Sequence, residues 1–201
     1  MLLASLALWR RRDARRFFAW SSIEHMGVAA FAFGLGGPAA NLAGLLHLIG
    51  HSLVKSAVFF GVGRAAQVKG SQKIADIGGL VATHPALGWG LAIAIAAIAG
   101  MPPFLLFASE FRLFSVAAAE IPVLAIPLAI GMVIALAALI TVLQSLCFGP
   151  PTPDAADALD GWREAAAAAP LWLHLAVAAA LGIAMPAGLA AMLMAAAGVI
   201  G

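Results

Sequence analysis

The sequence predicts an all-α polytopic membrane protein, a partial helical bundle of about five transmembrane helices preceded by a truncated first one. Of its 201 residues, 64% are apolar and only 10% are charged, whereas soluble domains carry about 25% charged residues. A water-soluble fold cannot bury this much apolar surface, so lipid must cover much of it. The long apolar segments show no strand-like alternation, and each is therefore predicted to be a helix.

The apolar segments follow one another with few polar interruptions. The first run ends at the arginines from residue 10 onward; at about 12 Å it is too short for a bilayer, and we expect it to be the end of a helix that begins upstream. The further segments are 18–36, 41–63, 86–119, 122–148 and 170–200. These limits divide the chain into a transmembrane part (1–148), a polar loop (149–169) and a C-terminal transmembrane helix (170–201). Within the polar loop we expect an interfacial turn or a short amphipathic helix.

Segment 86–119 contains the sequence Gly100-Met101-Pro102-Pro103. Proline removes an amide donor and clashes with the preceding turn, so the helix is predicted to break at Pro102-Pro103. Each half would reach roughly 22 Å, which is short for a span. We favour one broken span, with two short spans as the alternative. Broken helices occur at mid-membrane depth where backbone lines a polar cavity or an ion path.

Positive charge predicts the orientation of the chain. Loop 10–16 carries five arginines, and loop 64–84 carries Arg64, Lys69 and Lys73. Two helices separate these loops, so both are predicted to lie on the cytoplasmic side of a bacterial cytoplasmic membrane. With one broken span, loop 149–169 lies on that side as well.

Composition also excludes several functions. Cys147 is the only cysteine, so the chain cannot supply the ligands of an iron–sulfur cluster. We expect no cofactor in this chain and place any redox centre in a partner subunit. The net charge of +2 gives no indication of nucleic-acid binding. Signatures of serine hydrolases, of Walker A loops and of dinucleotide sites are absent from the sequence.

Ionisable groups inside apolar helices are costly and therefore indicate function. His47, His51 and Lys55 are spaced i, i+4, i+8, which places them on one stripe of a helix. Histidine exchanges protons near neutral pH, so the stripe predicts a proton relay. The alternatives are a snorkelling lysine with histidines that only bond between helices, or a metal or haem pair at His47 and His51.

Two further sites carry carboxylates. Glu110 follows the double proline and is predicted to exchange protons beside unwound backbone; the alternative is an interfacial pair with Arg112, although the two lie about 200° apart on a helix. Glu24 and His25 lie early in segment 18–36. They could extend a polar path, and capping or interfacial contacts are an equal alternative.

Five stretches, in this order, resemble one family. They are Trp20–Gly27 (WSSIEHMG), Gly44–Ser56 (GLLHLIGHSLVKS), Ile74–Gly79 (IADIGG), Gly100–Phe104 (GMPPF) and Ala108–Phe111 (ASEF). Together they resemble the antiporter-like proton-translocating subunit shared by respiratory complex I, Mrp cation/proton antiporters and membrane-bound hydrogenases. The stretch SSIEHMG is most similar to the hydrogenase-4 component F branch.

The resemblance implies a bundle of about fourteen helices with two inverted five-helix repeats, each containing one broken helix. Residues 1–148 then match part of the second repeat. Lys55 matches the lysine of the central relay, His47 and His51 match its histidine neighbours, and Glu110 matches the terminal proton-exchanging position.

A further family pattern, Asp-x-Lys-Arg, begins here at Asp13. Arg15 replaces its lysine. Arginine keeps its proton, so a carrier role at Arg15 is in doubt.

The resemblance therefore predicts a proton-translocating subunit of a hydrogenase-4-like or complex I-like energy-converting oxidoreductase. Its expected partners are other membrane and peripheral subunits, the lipid bilayer and protons. The alternatives are a Mrp-type cation/proton antiporter subunit or a non-functional remnant. Because about eight preceding helices have no counterpart, we expect a fragment, a truncated product or half of a split subunit.

Overall fold

The computed structural model describes residues 1–155 and 161–200, which form helices joined by short turns. The helices are α1 Leu2–Leu8, α2 Ala14–Leu35, α3 Gly37–Lys69, α4 Leu80–Thr83, α5 Pro85–Ile98, α6 Leu105–Glu120, α7 Pro122–Leu143, α8 Gly161–Ile183 and α9 Ala187–Val199. A 3-10 turn, Ile74–Asp76, follows α3, and a π-helical turn, Gln144–Phe148, extends α7. The predicted all-helical fold is confirmed.

Three helices are long and apolar enough to cross a bilayer: α3, α7 with its π-helical turn, and α8. The segments Ile74–Thr83 and Pro85–Ile98 meet at a bend of 117°. They provide a fourth span if the two are taken as one broken helix. α2 has 22 residues, but Glu24, His25 and two serines lower its hydropathy. α9 has 13 residues and reaches about 20 Å, against a hydrocarbon core of about 30 Å. The described residues thus form a multi-pass membrane bundle with three or four such spans, where the apolar segments predict about five.

α3 is the central helix and packs against α2, α5, α6, α8 and α9. It extends beyond the predicted segment 41–63 at both ends and stops at Gly70. Gly70 has φ +66°, a left-handed conformation that commonly ends helices. Gly50 lets α6 approach closely, because a Cβ there would lie only 3.2 Å from the Leu106 amide nitrogen. This approach brings the polar side chains of α3 and α6 together.

The predicted break in segment 86–119 is confirmed. α5 ends at Ile98 and α6 begins at Leu105. Gly100 between them has φ +73°, which favours glycine over residues with a Cβ. α8 packs directly on the break, since a Cβ on Gly182 would collide with the Pro103 carbonyl oxygen. That the two halves make up one span stays a prediction.

The C-terminal part differs from the prediction. α8 begins at Gly161, so the polar loop does not extend to residue 169; the run Ala165–Ala169 consists of the strongest helix former. Residues 156–160 of the predicted loop, and residue 201, lie outside the described residues. The single helix predicted over 170–200 is two helices, α8 and α9, separated at residues 184–186. Pro186 explains the interruption, because proline cannot continue the hydrogen bonding of the preceding helix.

The loops predicted to share one side of the membrane lie next to each other. The Ala14 amide donates to the Gln72 carbonyl at 2.8 Å, and the Ile74 amide donates to the Arg12 carbonyl at 2.9 Å. These hydrogen bonds join the loop that precedes α2 to the loop that follows α3. The same-side prediction is confirmed, and the cytoplasmic assignment of that side stays a prediction.

Residues 149–155 fold back onto this same face. Lys69 Nζ donates at 2.6 Å to Asp154 Oδ1 and at 2.6 Å to the Thr152 carbonyl. The Gly78 amide donates to Thr152 Oγ1 at 3.1 Å. The contacts fasten the segment after α7 to the end of α3.

Candidate functional site

Six side chains that the sequence singles out lie together where α2, α3 and α6 meet. α2 contributes Glu24 and His25, α3 contributes His47, His51 and Lys55, and α6 contributes Glu110. The five residues on α2 and α3 are all buried, and the Glu110 side chain is 12% exposed. Burial inside the bundle argues against a snorkelling lysine and against interfacial contacts for Glu24 and His25.

His25 and His47 form the centre of this polar cluster. His25 Nδ1 lies 3.2 Å from His47 Nε2, and the two rings stack with centroids 5.2 Å apart. The other nitrogen of His47, Nδ1, lies 3.1 Å from Ser109 Oγ. Ser109 Oγ in turn donates to the Leu106 carbonyl at 2.8 Å. One continuous hydrogen-bonded chain therefore links α2, α3 and α6.

The hydrogen bonds of Ser109 determine which nitrogens of the His47 and His25 rings carry protons. A hydroxyl has one proton, and Ser109 gives it to the Leu106 carbonyl, so Ser109 Oγ accepts from His47 Nδ1–H. In a neutral His47 ring Nε2 is then a bare acceptor. The 3.2 Å contact is a hydrogen bond when His25 Nδ1 carries a proton. The network is thus directional, with His25 donating to His47 and His47 donating to Ser109.

Two carboxylates flank His25, one near each ring nitrogen. Glu24 Oε2 lies 3.6 Å from His25 Nε2, and Glu110 Oε1 lies 3.8 Å from His25 Nδ1. The structure does not show the alternative, an interfacial pair of Glu110 with Arg112. Glu110 faces His25, whereas Arg112 is exposed. Both carboxylates are close enough to exchange protons with one imidazole after small side-chain movements.

The helix break positions Glu110. Glu110 Oε2 occupies the space in which a Cβ on Gly100 would stand. Gly100 is therefore required twice, for its positive φ and for the room that it leaves beside the carboxylate. The sequence suggested a glutamate near unwound backbone, but it gave no sign that this one glycine would touch it.

Lys55 is held by neutral oxygen atoms. Its Nζ donates to the Phe18 carbonyl at 2.7 Å and to Ser21 Oγ at 2.9 Å. A buried lysine is expected to pair with an acid, to reach water or to give up its proton. Among the described residues, no carboxylate oxygen is found within 4 Å of Lys55 Nζ. The backbone carbonyl of Phe18 is a partner that side-chain patterns could not reveal.

His51 extends the histidine cluster along α3. Its ring centroid lies 5.3 Å from that of His25 and 6.5 Å from that of His47. His47, His51 and Lys55 therefore lie on one buried side of α3, as their spacing predicts. The structure does not favour a metal or haem pair at His47 and His51, because both His47 nitrogens face His25 and Ser109 instead.

A cavity of about 320 Å³ adjoins the cluster. Its polar lining comes from Glu24, His25, Gly100 and Glu110, and apolar residues of α6 and α7 form most of the remaining wall. The two carboxylates and the imidazole on its polar side offer the several hydrogen-bonding partners that an ordered water needs. Water there could connect the two carboxylates to the histidines.

Asp13 and Arg15 lie apart from the cluster. Asp13 Oδ1 accepts from the Arg16 amide at 2.9 Å and caps α2, which is a common role for aspartate. Arg15 is exposed. Eleven residues separate Asp13 from Glu24, about 16 Å along a helix. The structure thus gives Asp13 a capping role.

Comparison with known proteins gives consistent matches. A family described as NADH:quinone oxidoreductase/Mrp antiporter, transmembrane, matches residues 1–139. The hydrogenase-4 component F homolog of Methylacidiphilum infernorum (isolate V4) is 47% identical over 186 residues, which is 92% of this chain and 38% of that protein. The chain therefore spans well under half the length of this relative.

Two solved structures share the fold. A chain of respiratory complex I from Thermus thermophilus, solved with bound NADH, superposes with a TM-score of 0.84 at 23% identity, covering 99% of this chain and 41% of that chain. A chain of the Mrp complex from Dietzia sp. DQ12-45-1b gives a TM-score of 0.80 at 21% identity, covering 99% and 44%. Both are chains of multisubunit complexes, and at these identities the likeness concerns the fold.

Proposed function

This chain belongs to the NADH:quinone oxidoreductase/Mrp antiporter transmembrane family, and on that premise we propose that it is part of a proton-translocating membrane subunit. The complex that it serves would be a hydrogenase-4-like or complex I-like energy-converting oxidoreductase. The 47% identity to a hydrogenase-4 component F homolog over 92% of the chain supports the hydrogenase branch. The stretch SSIEHMG is consistent with the same branch.

The observation that carries the proposal is the position of His25 between three proton-exchanging groups. Glu24 lies beside Nε2, while His47 Nε2 and Glu110 Oε1 lie beside Nδ1. A proton delivered by Glu24 to Nε2 allows the ring to release its Nδ1 proton to His47 or to Glu110. The ring gains one proton and loses one, so its charge is the same after each transfer. Such a ring conducts protons in steps.

Lys55 supplies a second proton-binding position on α3. Its partners are the neutral oxygens of Phe18 and Ser21. Among the described residues Lys55 forms no direct ion pair, so removing its proton breaks no such pair. His51 lies between Lys55 and His47 on the same stripe. Lys55, His51, His47, His25 and Glu110, with Glu24 as the proton donor to His25, make up the relay that we propose.

In our proposal, the redox centres and the other subunits of the complex lie outside this chain. Redox centres and other subunits, membrane and peripheral, would provide the driving reaction. The rest of the proton path would lie in regions that correspond to the remaining part of the relative, about 62% of its length. We place the assembly in a bacterial cytoplasmic membrane, with the loops of residues 10–16 and 64–84 on the cytoplasmic side.

A Mrp-type cation/proton antiporter subunit is the second candidate. The family itself includes Mrp antiporters, and the fold matches a chain of a Mrp complex. The two functions differ in their energy source. Proton movement driven by an electron donor supports the first, whereas a cation gradient that drives proton movement without any electron donor supports the second.

Substitution of the two ends of the relay tests the proposal. In the complete subunit, Lys55→Ala and Glu110→Gln are each expected to abolish coupled proton transfer, measured in vesicles that contain the assembled complex. His174→Gln is the control, because His174 lies on α8 with its Nδ1 facing the Pro170 carbonyl, outside the cluster. Unchanged pumping in both variants would refute the assignment.

A further inference from the structure

Three side chains of the buried cluster could hold one metal ion. His25, His47 and Glu110 each offer a ligand atom, and these atoms lie within 4.8 Å of one another. We propose that the cluster is a binding site for a divalent transition-metal ion, zinc in particular. The proposal concerns binding itself and goes beyond proton transfer.

The distances suit tetrahedral zinc. Zinc–nitrogen bonds of about 2.0–2.1 Å place two ligand atoms roughly 3.3 Å apart at a tetrahedral angle. His25 Nδ1 and His47 Nε2 are already 3.2 Å apart. Glu110 Oε1 lies 3.8 Å from His25 Nδ1, about half an ångström beyond the tetrahedral distance, and the three ligand atoms all lie within 4.8 Å of one another. Movement of the Glu110 side chain toward the two rings would bring the three atoms around one ion.

The outer nitrogens of both histidines provide an independent argument. Histidines that bind a metal almost always direct their other ring nitrogen to a carboxylate, a carbonyl or another polar partner. His47 Nδ1 faces Ser109 Oγ at 3.1 Å, and His25 Nε2 faces Glu24 Oε2 at 3.6 Å. Ser109 fixes the tautomer in which His47 Nε2 has a free lone pair. Glu24 can do the same for His25 Nδ1.

The donor set favours a transition-metal ion over calcium or magnesium. Two imidazoles and one carboxylate, with a fourth position left for water, make up a common zinc site, whereas calcium and magnesium prefer oxygen ligands alone. The adjoining cavity of about 320 Å³, lined by His25 and Glu110 among others, provides room for that water. With Glu110 ionised, one negative charge offsets part of the charge of the ion.

Metal binding excludes the His25–His47 hydrogen bond. The proton on His25 Nδ1 must leave, and His25 Nε2 must carry the ring proton toward Glu24. The metal then occupies the position through which a proton would pass. If the proposed function is correct, bound zinc therefore inhibits transport, but the binding itself does not depend on that function.

Binding is tested on the purified complete subunit without any transport assay. Isothermal titration with Zn²⁺ measures affinity, and the visible absorption of bound Co²⁺ reports a tetrahedral site. We expect His47→Ala and Glu110→Gln each to lower affinity at least tenfold, and Glu24→Gln to lower it by about tenfold through its outer contact. His51→Ala is the matched control on α3 and should bind as the unsubstituted protein does.

The outcomes separate this site from other arrangements. Unchanged affinity in Glu110→Gln and Glu24→Gln would overturn the proposal, and these two variants decide the matter even if His47→Ala fails to fold. A loss in His51→Ala as large as that in Glu110→Gln would also overturn it. Gel filtration and thermal unfolding of each variant show whether the fold is kept. Failure of zinc binding would leave the proton relay untouched.

Discussion

His25 Nδ1 lies 3.2 Å from His47 Nε2, and this contact joins α2 to α3 in the buried interior of the bundle. Both residues are at least 97% buried. In an interior from which water is largely excluded, such a contact provides a path for protons that apolar side chains cannot. The groups around the pair determine in which direction protons can move.

Ser109 is predicted to set that direction. Ser109→Ala removes the acceptor of His47 Nδ1–H and leaves a buried donor unsatisfied, at a cost of about 1–3 kcal/mol. We expect a lower unfolding temperature and slower proton transfer in the complete subunit. Ser115→Ala is the control on the same helix, because Ser115 is exposed and its hydroxyl donates to the Phe111 carbonyl of its own helix. Equal effects of the two substitutions would contradict a special role for Ser109.

Gly100 is predicted to tolerate no side chain. Gly100→Ala adds a Cβ where φ is +73° and where Glu110 Oε2 stands. Positive φ in a residue with a side chain costs of the order of 1 kcal/mol or more, and the displaced carboxylate should lose contact with His25. We expect reduced stability and strongly reduced proton transfer, measured by thermal unfolding and by vesicle acidification.

Gly63→Ala provides the matching control, since a Cβ at Gly63 meets no atom within 4 Å. Alanine is a better helix former than glycine, so this variant should be as stable as the unsubstituted protein or slightly more so. If Gly100→Ala behaved in the same way, the close packing of Gly100 against Glu110 would be contradicted.

Glu24 is predicted to be a proton donor to His25. Glu24→Gln keeps the size of the side chain but cannot exchange a proton, so we expect at least a tenfold slower proton transfer. Glu120→Gln on α6 is the control, because Glu120 is exposed. Proton release measured with a pH-sensitive dye compares the two. Equal rates would show that Glu24 takes no part in the transfer.

We predict that Asp154 stabilises the protein by holding the segment after α7 against the end of α3. This role is separate from proton transfer. Its Oδ1 lies 2.6 Å from Lys69 Nζ, whose side chain is fully buried, while Asp154 itself is 36% exposed. Because solvent screens the exposed partner, we expect Asp154→Asn to cost about 1–2 kcal/mol. Asp76→Asn is the control, since Asp76 is exposed and its Oδ2 accepts from the neutral Ser71 hydroxyl. Equal unfolding temperatures for the two variants would contradict a stabilising role.

Much of this architecture was predictable from the sequence. The i, i+4, i+8 spacing placed His47, His51 and Lys55 on one face because helical geometry alone determines it. The double proline located the break between α5 and α6 for an equally local reason. Clustered arginines and lysines placed two loops on one side, and the hydrogen bonds from Ala14 to Gln72 and from Ile74 to Arg12 bear this out.

Contacts between distant segments were beyond the reach of such patterns. The pairing of His25 with His47, the Phe18 carbonyl that binds Lys55 and the glycine that makes room for Glu110 all depend on how helices pack. The polar, acidic stretch 149–169 predicted an interfacial turn or a short amphipathic helix, whereas α8 begins at Gly161 and runs on as one long helix through the alanine run, which favours helix. Tertiary packing decides these details.

The most direct test of the central claim is proton pumping by the assembled complex with substituted relay ends. Complexes carrying Lys55→Ala or Glu110→Gln are placed in vesicles, supplied with the electron donor and followed with a pH-sensitive dye, with Lys73→Ala and Glu120→Gln as exposed controls. We expect both relay variants to lose acidification while both controls keep it. Full acidification by the Lys55→Ala and Glu110→Gln complexes would contradict the proposed relay.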